Sequence, residues 1–345
     1  MKGIHGGDVY RNSVNMDFSI NINPLGMPEE IEAALHKAVK SCSQYPDIKA
    51  EKLKKALSSV LKVQEAYLLF GNGASELFLG IVHAIKPKKT LIPIPSFYGY
   101  EYALEAVDSN IIYFQLKEDK NFLLDESFFE ILTEDIDLLF LANPNNPTGK
   151  LMAREYIKKL LDICKDRKIW VVLDECFIEF CENAFSILTE IDSYENLLLV
   201  RAFTKIYAIP GVRLGYLVCS NKGILEKIKK QLPEWNISTF AQEAGLACVN
   251  QPSFIAKTVD YVKKERQFLI YQLNQLGFKT FPSEANFILL YSEKPLYETL
   301  LKRGILIRDC ENFRGLSKGY YRIAVKTRKE NERLVKAISE VYGKE

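Results

Sequence analysis

The chain has no apolar run long enough to cross a bilayer, and its opening residues, MKGIHGGDVY, hold no apolar signal core. Both absences point to a soluble, cytoplasmic protein. No basic block stands out either: charges of both signs are interspersed, and the formal net charge is only +2. A nucleic-acid or membrane surface therefore has no support. There is no CxxC pair, and the number of cysteines, seven, is odd. Cys176 and Cys181 are near each other, but no histidine is close by. This argues against a metal site and against a disulfide framework, and the expectation is buried free thiols in a reducing cytosol. Internal repeats and low-complexity tracts are also missing.

What is present is material for a core. Of the 345 residues, 48% are hydrophobic and 12% aromatic, enough for one large α/β domain and a smaller one. Residues 1–27 read as irregular, punctuated by GG, NP and LGMP. Pro28 opens a helix over 28–41, with Ile31, Ala34, Leu35, Ala38 and Val39 at helical spacing. From about residue 50 the pattern alternates. A helix over 50–62 leads to the strand Tyr67–Phe70, a Gly-Asn-Gly turn and a helix from Ser75. Further strands are expected at Thr90–Ile94, Asn110–Phe114, Leu138–Ala142, Ile169–Asp174, Leu197–Arg201 and Leu214–Cys219. Several are unbroken Val/Ile/Leu runs, as in strands covered on both faces. With helices between most of them, the expected fold is α/β with a largely parallel sheet.

After Trp235 the composition changes. A charged helix over 253–276, strands at 285–291, 304–308 and 319–325, and a helix over 328–343 predict a smaller α+β domain. The expected division is an arm and first helix over 1–44, a large domain over 45–240 and a small domain over 241–345, with the first helix packing on the last.

Four pieces fall at strand ends or turns, where ligands bind in such sheets. Gly71-Asn72-Gly73-Ala74-Ser75 follows a strand and opens a helix, so backbone N–H groups can approach an anion there. Alone it reads rather as an ordinary strand-to-helix turn. Asn143-Pro144-Asn145-Asn146-Pro147-Thr148-Gly149 forms a constrained loop after the strand Leu138–Ala142. Asp174 closes another apolar strand, where a desolvated acid needs a cationic partner. Lys205 follows the strand Leu197–Arg201, and a lysine desolvated there becomes an imine-forming amine. Arg213, eight residues later, suits a phosphate. Together these supply what pyridoxal 5′-phosphate (PLP) requires.

The chain resembles the fold-type I PLP enzymes of the aspartate aminotransferase superfamily. Within them it is similar to the histidinol-phosphate aminotransferase branch and to the threonine-phosphate decarboxylases of cobalamin biosynthesis. The resemblance runs through His5-Gly6-Gly7, Asp17-Phe18-Ser19, Asn21 to Pro28, Tyr45-Pro46-Asp47, PNNPTG at 144–149, LDE at 173–175, the stretch around Lys205, Ile305 to Arg308 and Tyr320 to Ala324. It implies that Lys205 carries the cofactor and Asp174 keeps the pyridine nitrogen protonated. Asn146 would bond the ring oxygen and Phe97 would stack on the ring. Gly73, Ala74, Ser75, Thr204 and Arg213 would surround the cofactor phosphate, with Tyr45 reaching it from the second subunit of a homodimer. His5, Gly6, Asn21, Asn146, Arg308 and Arg322 would bind a small phosphorylated amino acid, Arg322 at its carboxylate, His5 and Arg308 mainly at its phosphate. Two positions depart from relatives: Ala202, where many carry Ser or Thr, and Phe177, where histidinol-phosphate aminotransferases carry Tyr. The implied reactions are decarboxylation of L-threonine O-3-phosphate, transamination of histidinol phosphate or a related amino acid, and decarboxylation of L-serine O-phosphate. His5-Gly6-Gly7 and the YAIPG run at 207–211 favour the first. A non-catalytic scaffold is disfavoured by the intact Lys205, Asp174 and Arg213.

Overall fold

The structure is a computed structural model in which residues 6–342 are described. His5 lies outside the described residues.

The strands in chain order are β1 (Met16–Asp17), β2 (Leu68–Gly71), β3 (Lys89–Ile94), β4 (Asn110–Gln115), β5 (Leu138–Ala142), β6 (Trp170–Asp174), β7 (Leu197–Ala202) and β8 (Gly215–Val218). They are followed by β9 (Lys279–Thr280), β10 (Phe287–Tyr291), β11 (Ile305–Leu306), β12 (Arg308–Asp309) and β13 (Tyr320–Ala324). Seven of them form one sheet in the order β2-β8-β7-β6-β5-β3-β4. Only β8 runs against the others in that sheet, pairing antiparallel with both β2 and β7.

The unbroken apolar runs are explained by two cores, one on each face. In β5, Leu138 and Phe140 join one cluster while Leu139 and Leu141 join the other. Val172 and its neighbours Val171 and Leu173 divide in the same way. Successive side chains of a strand point to opposite faces, so a strand buried on both sides needs an apolar residue at every position. Helices Ala74–Ile85, Gly99–Glu105 and Lys222–Lys229 supply one covering layer, and Arg154–Asp166 helps supply the other.

A second, antiparallel sheet has the order β12-β13-β10-β9. The expected strand over 304–308 is in fact two short ones. β11 pairs with β1, drawing the N-terminal arm onto this part of the chain, and β12 pairs with β13. The arm, read as irregular, thus contains a strand.

A helix over Thr239–Val249 escaped the sequence reading. Its composition is apolar on several sides because it is wedged against helices Glu29–Ala38 and Glu51–Leu61. No polar face remains to mark a period. Ser238 caps it, accepting from Ala241 N–H at 3.1 Å. The first helix ends earlier than expected, at Ala38, and a 3₁₀ turn continues to Ser41.

All seven cysteines are free, but Cys42 is exposed. The expectation of buried thiols is corrected there: Cys42 follows the 3₁₀ turn on the outer surface, where no core reaches it. Among the described residues, no helix is long and apolar enough to cross a membrane.

Candidate active site

Because β8 is antiparallel, its amino end meets the carboxyl ends of the parallel strands. Arg213, just before β8, therefore shares one edge with Gly73, Asp174 and Lys205. A cavity of about 700 Å³ opens at this edge. Of the residues expected at the site, Gly6, Asn21, Ala74, Ser75, Phe97, Asn146, Asp174, Thr204, Lys205, Arg213, Arg308 and Arg322 all line it, as do Ala202 and Phe177. Tyr45 does not. It is 81% exposed and packs at 4.9 Å, ring to ring, on Trp235.

The Gly73 turn fits an anion cradle. Gly73 has φ +78°, and a Cβ on it would fall 2.5 Å from Arg213 Nη2. Any side chain there would displace the guanidinium. At Gly215 a Cβ would fall 2.8 Å from the Ala74 nitrogen, so this helix start is seated directly on the sheet. Of the two arginines flanking Lys205, Arg201 is already used: it is buried and donates to Glu175 Oε2 at 2.8 and 3.0 Å. Arg213 gives Nη1 to the Pro210 carbonyl at 3.3 Å and turns Nη2 toward the Gly73 turn, where a ligand can meet it.

Lys205 sits in the one-turn helix Phe203–Ile206 after β7. Burial pushes its amine down to about 8, and the neighbouring Arg322 and Arg213 cations act in the same direction. Asn23, which sequence reading had not singled out, clasps this turn. Its N–H donates to the Lys205 carbonyl at 3.1 Å, and its Nδ2 donates to the Ile206 carbonyl at 2.6 Å.

Asp174 is held from two sides. The Cys176 N–H donates to Oδ1 at 2.9 Å, and the Tyr100 hydroxyl donates to Oδ2 at 2.6 Å. Burial raises the Asp174 pKa, and these donors oppose the rise. Tyr100 is 1% exposed, stacks on Phe140 and meets the Phe97 ring edge-on at 5.6 Å. Burial, with the Asp174 charge, holds its hydroxyl well above the ordinary tyrosine range, so it remains a donor. Tyr100→Phe is expected to cost about 1–2 kcal/mol at neutral pH by removing a donor to a buried carboxylate. Asp174 will then protonate at higher pH. Since the loss depends on the charged form, it should fade as pH falls through the raised Asp174 pKa. Melting curves at neutral and acid pH check this.

The substrate end is set by strand register. Arg308 and Arg322 are directly paired across β12 and β13. Cross-strand partners project on the same face, so two buried cations stand side by side. The Arg322 guanidinium donates to the Asn146 side-chain oxygen and, at 2.8 Å, to the Ser19 carbonyl, while its Nε has no partner among the described residues. Burial pushes it down to about 10, and Arg308 adds to the fall. Asn21 Oδ1, at the pocket wall, is likewise buried without a partner among the described residues. Unpaired buried polar atoms and adjacent like charges are costly, and an anionic, hydrogen-bonding ligand relieves both. Sequence reasoning found each arginine but not their adjacency, and it missed Tyr100, Asn23, Glu101 and Arg314.

Residues 13–338 match the family described as aminotransferase class I and II. The chain is 35% identical over 330 residues to a threonine-phosphate decarboxylase of Salmonella typhimurium, covering 94% of this chain and 91% of that protein. It is 37% identical over 343 residues to an adenosylcobalamin biosynthesis bifunctional protein of Leptospira interrogans, covering 95% of this chain and 39% of that one. Among solved structures, a histidinol-phosphate aminotransferase from Clostridium acetobutylicum superposes with a TM-score of 0.89 at 35% identity, covering 95% of this chain and 99% of that one. The chain belongs to the class I and II aminotransferase family, with the fold-type I architecture that its sheet order displays.

Proposed function

We propose that this protein is a PLP-dependent decarboxylase that converts L-threonine O-3-phosphate to (R)-1-amino-2-propanol O-2-phosphate for cobalamin biosynthesis. The observation that carries the substrate class is the Arg308–Arg322 pair facing the same pocket as Lys205. Two adjacent buried cations call for two anionic groups on one short molecule, and a phosphorylated amino acid has them. The decarboxylase reading is supported by the similarity to the threonine-phosphate decarboxylase, and the pathway by that to the cobalamin protein.

The residues present fit PLP. The cradle of Gly73, Ala74, Ser75, Thr204 and Arg213 suits its phosphate, with Tyr45 of a second subunit as a further contact. The exposure of Tyr45, away from its own pocket, agrees with that role in a homodimer. Asp174 would keep the ring nitrogen protonated, and Phe97 would cover the ring. Asn146, its oxygen already bonded by Arg322, keeps its amide N–H₂ to donate to the ring oxygen. Bound PLP supplies an electron sink for the bond broken at the substrate Cα. Lys205 would hold the cofactor, and its amine would return a proton to the substrate Cα. Arg322 fixes the carboxylate and Arg308, with His5, the phosphate. Their separation would set how the substrate Cα is presented above Lys205, so that binding energy from the remote anionic group would help choose the reaction.

The large part over 45–240 would carry the cofactor, and the arm over 1–44 with the part from 241 onward would carry the substrate clamp. The second border is better placed at Ser238, since the helix Thr239–Val249 spans residue 241. A cytoplasmic setting is supported by seven unpaired cysteines.

The likeness to a histidinol-phosphate aminotransferase keeps transamination as the second reading. Against it, Phe177 presents to the pocket a ring without a hydroxyl. Incubation with threonine phosphate separates the two. The expected result is release of CO₂ without a 2-oxo acid; strict dependence on 2-oxoglutarate would assign an aminotransferase. Serine phosphate, one methyl smaller, is expected to react more slowly by a factor of about 10–100. Equal rates would leave ethanolamine phosphate an equally natural product.

A further inference from the structure

Two residues that line the pocket, Glu101 and Arg314, form an ion pair between distant parts of the chain. Arg314, in the loop after β12, donates through Nε to Glu101 Oε1 and Oε2 at 3.3 and 3.2 Å, and through Nη2 to Oε2 at 3.1 Å. Glu101 belongs to the helix Gly99–Glu105, beside Tyr100. The Tyr113 hydroxyl donates to the same carboxylate at 3.2 Å, and the Arg314 guanidinium lies 4.4 Å from the Tyr113 ring centre. Gln115 Nε2 donates to the Gly315 carbonyl at 3.1 Å. The Glu101 side chain is only 11% exposed, and Arg314 is 53% exposed. Exposed pairs contribute little, but a carboxylate shielded to this degree depends on its cation.

The loop's apolar anchors are Phe313 and, packed against the same small cluster, Leu316. Between Glu311 and Lys318 only Phe313 is buried. Segments with few apolar contacts open easily unless polar ties restrain them. Yet this loop carries the groups that orient Arg308. Arg308 Nη2 donates to Asn312 Oδ1 at 2.7 Å, and its guanidinium lies 5.0 Å from the Phe313 ring centre. One short loop thus touches Arg308 through Asn312 and Phe313 and Glu101 through Arg314.

We propose that the Glu101–Arg314 pair is a specificity device that pins this loop across the pocket mouth and so keeps Asn312 and Phe313 on Arg308, aiming it at the distal anionic group of a short substrate. Both are positioning residues, since they act through Arg308. The proposal deepens the reading of the pocket as a site for a phosphorylated amino acid and rests on it. Inorganic phosphate is the probe, because it reports on the Arg308 end without turnover.

The test uses the holoenzyme, in which the cofactor's own phosphate site is filled. Calorimetry measures inorganic phosphate binding to the wild type, Glu101→Gln, Arg314→Gln, the double reversal Glu101→Arg with Arg314→Glu, and Arg308→Gln. Each single change at the pair is expected to weaken phosphate binding about tenfold, with the reversal recovering much of it. KM for threonine phosphate should rise in parallel while kcat changes less, and the preference over the longer histidinol phosphate should narrow. Unchanged phosphate affinity in both single variants overturns the proposal. So does wild-type binding that Arg308→Gln does not alter, or a loss that the reversal fails to recover. If the phosphate data behave as expected and the wild type does not decarboxylate threonine phosphate, the pinning role stands and the assigned reaction falls.

Discussion

Replacing Lys205 by alanine is expected to lower turnover by roughly 10⁴-fold or more, because the proposed mechanism gives this one amine both the anchoring of the cofactor and the movement of the Cα proton. Borohydride reduction followed by peptide mass analysis should find the cofactor's mass on the Lys205 peptide of the wild type and on no peptide of the variant. Lys205→Arg keeps the charge but cannot bind covalently, so it should be as inactive as alanine. Activity in that variant near the wild-type level would remove Lys205 from the mechanism. The environment adds a pH signature. Burial, aided by Arg322 and Arg213, brings the amine down to about 8. Its neutral, nucleophilic form therefore accumulates as pH rises through about 8, far below the ordinary lysine range. Capture of added PLP by the apoprotein should accelerate over that interval and then level off. Arg322→Gln removes a cation that depresses the amine, so the same profile should move to higher pH.

The parts legible in the sequence were those with a local cause. The Val/Ile/Leu runs announced strands covered on both faces, and both cores are there. Lys205, Asp174 and the Gly73 turn could be found because each follows directly on such a run. Strand direction has no local cause. Nothing in Gly215–Val218 says that it runs against its neighbours, yet that reversal brings Arg213 to the edge that carries Asp174 and Lys205. Register is equally silent. Arg308 and Arg322 stand 14 positions apart in sequence, and only the β12–β13 pairing makes them one clamp. Tyr100 was missed because a tyrosine inside an aromatic-rich helix reads as core. It is core on its ring and a hydrogen-bond donor at its tip. Asn23 lay within a motif already noted, but its partner is the Lys205 turn far along the chain. Each missed residue acts across a long sequence separation, where periodicity and turn chemistry carry no information.

Asp174→Asn is expected to separate function from stability. The amide keeps the shape of the carboxyl group and can still accept from the Tyr100 hydroxyl or the Cys176 N–H, but it cannot carry the negative charge. Without that charge the ring nitrogen of bound PLP loses its proton, and kcat should fall by about 10³-fold. The absorbance of the bound cofactor should shift with it, and Lys205 should remain reducible by borohydride. The apoprotein should respond differently. Burial raises the Asp174 pKa, which means that the site holds a charge at a cost in the absence of its cationic partner. Removing the charge removes that cost, so the apoprotein should melt at the same temperature or higher, while added PLP should stabilise the variant less than the wild type. A general packing defect would lower the melting temperature and the activity together. A variant that kept its activity within about tenfold would show that the ring nitrogen does not depend on Asp174. The burial of Tyr100 and its bond to Asp174 would then be a structural contact alone.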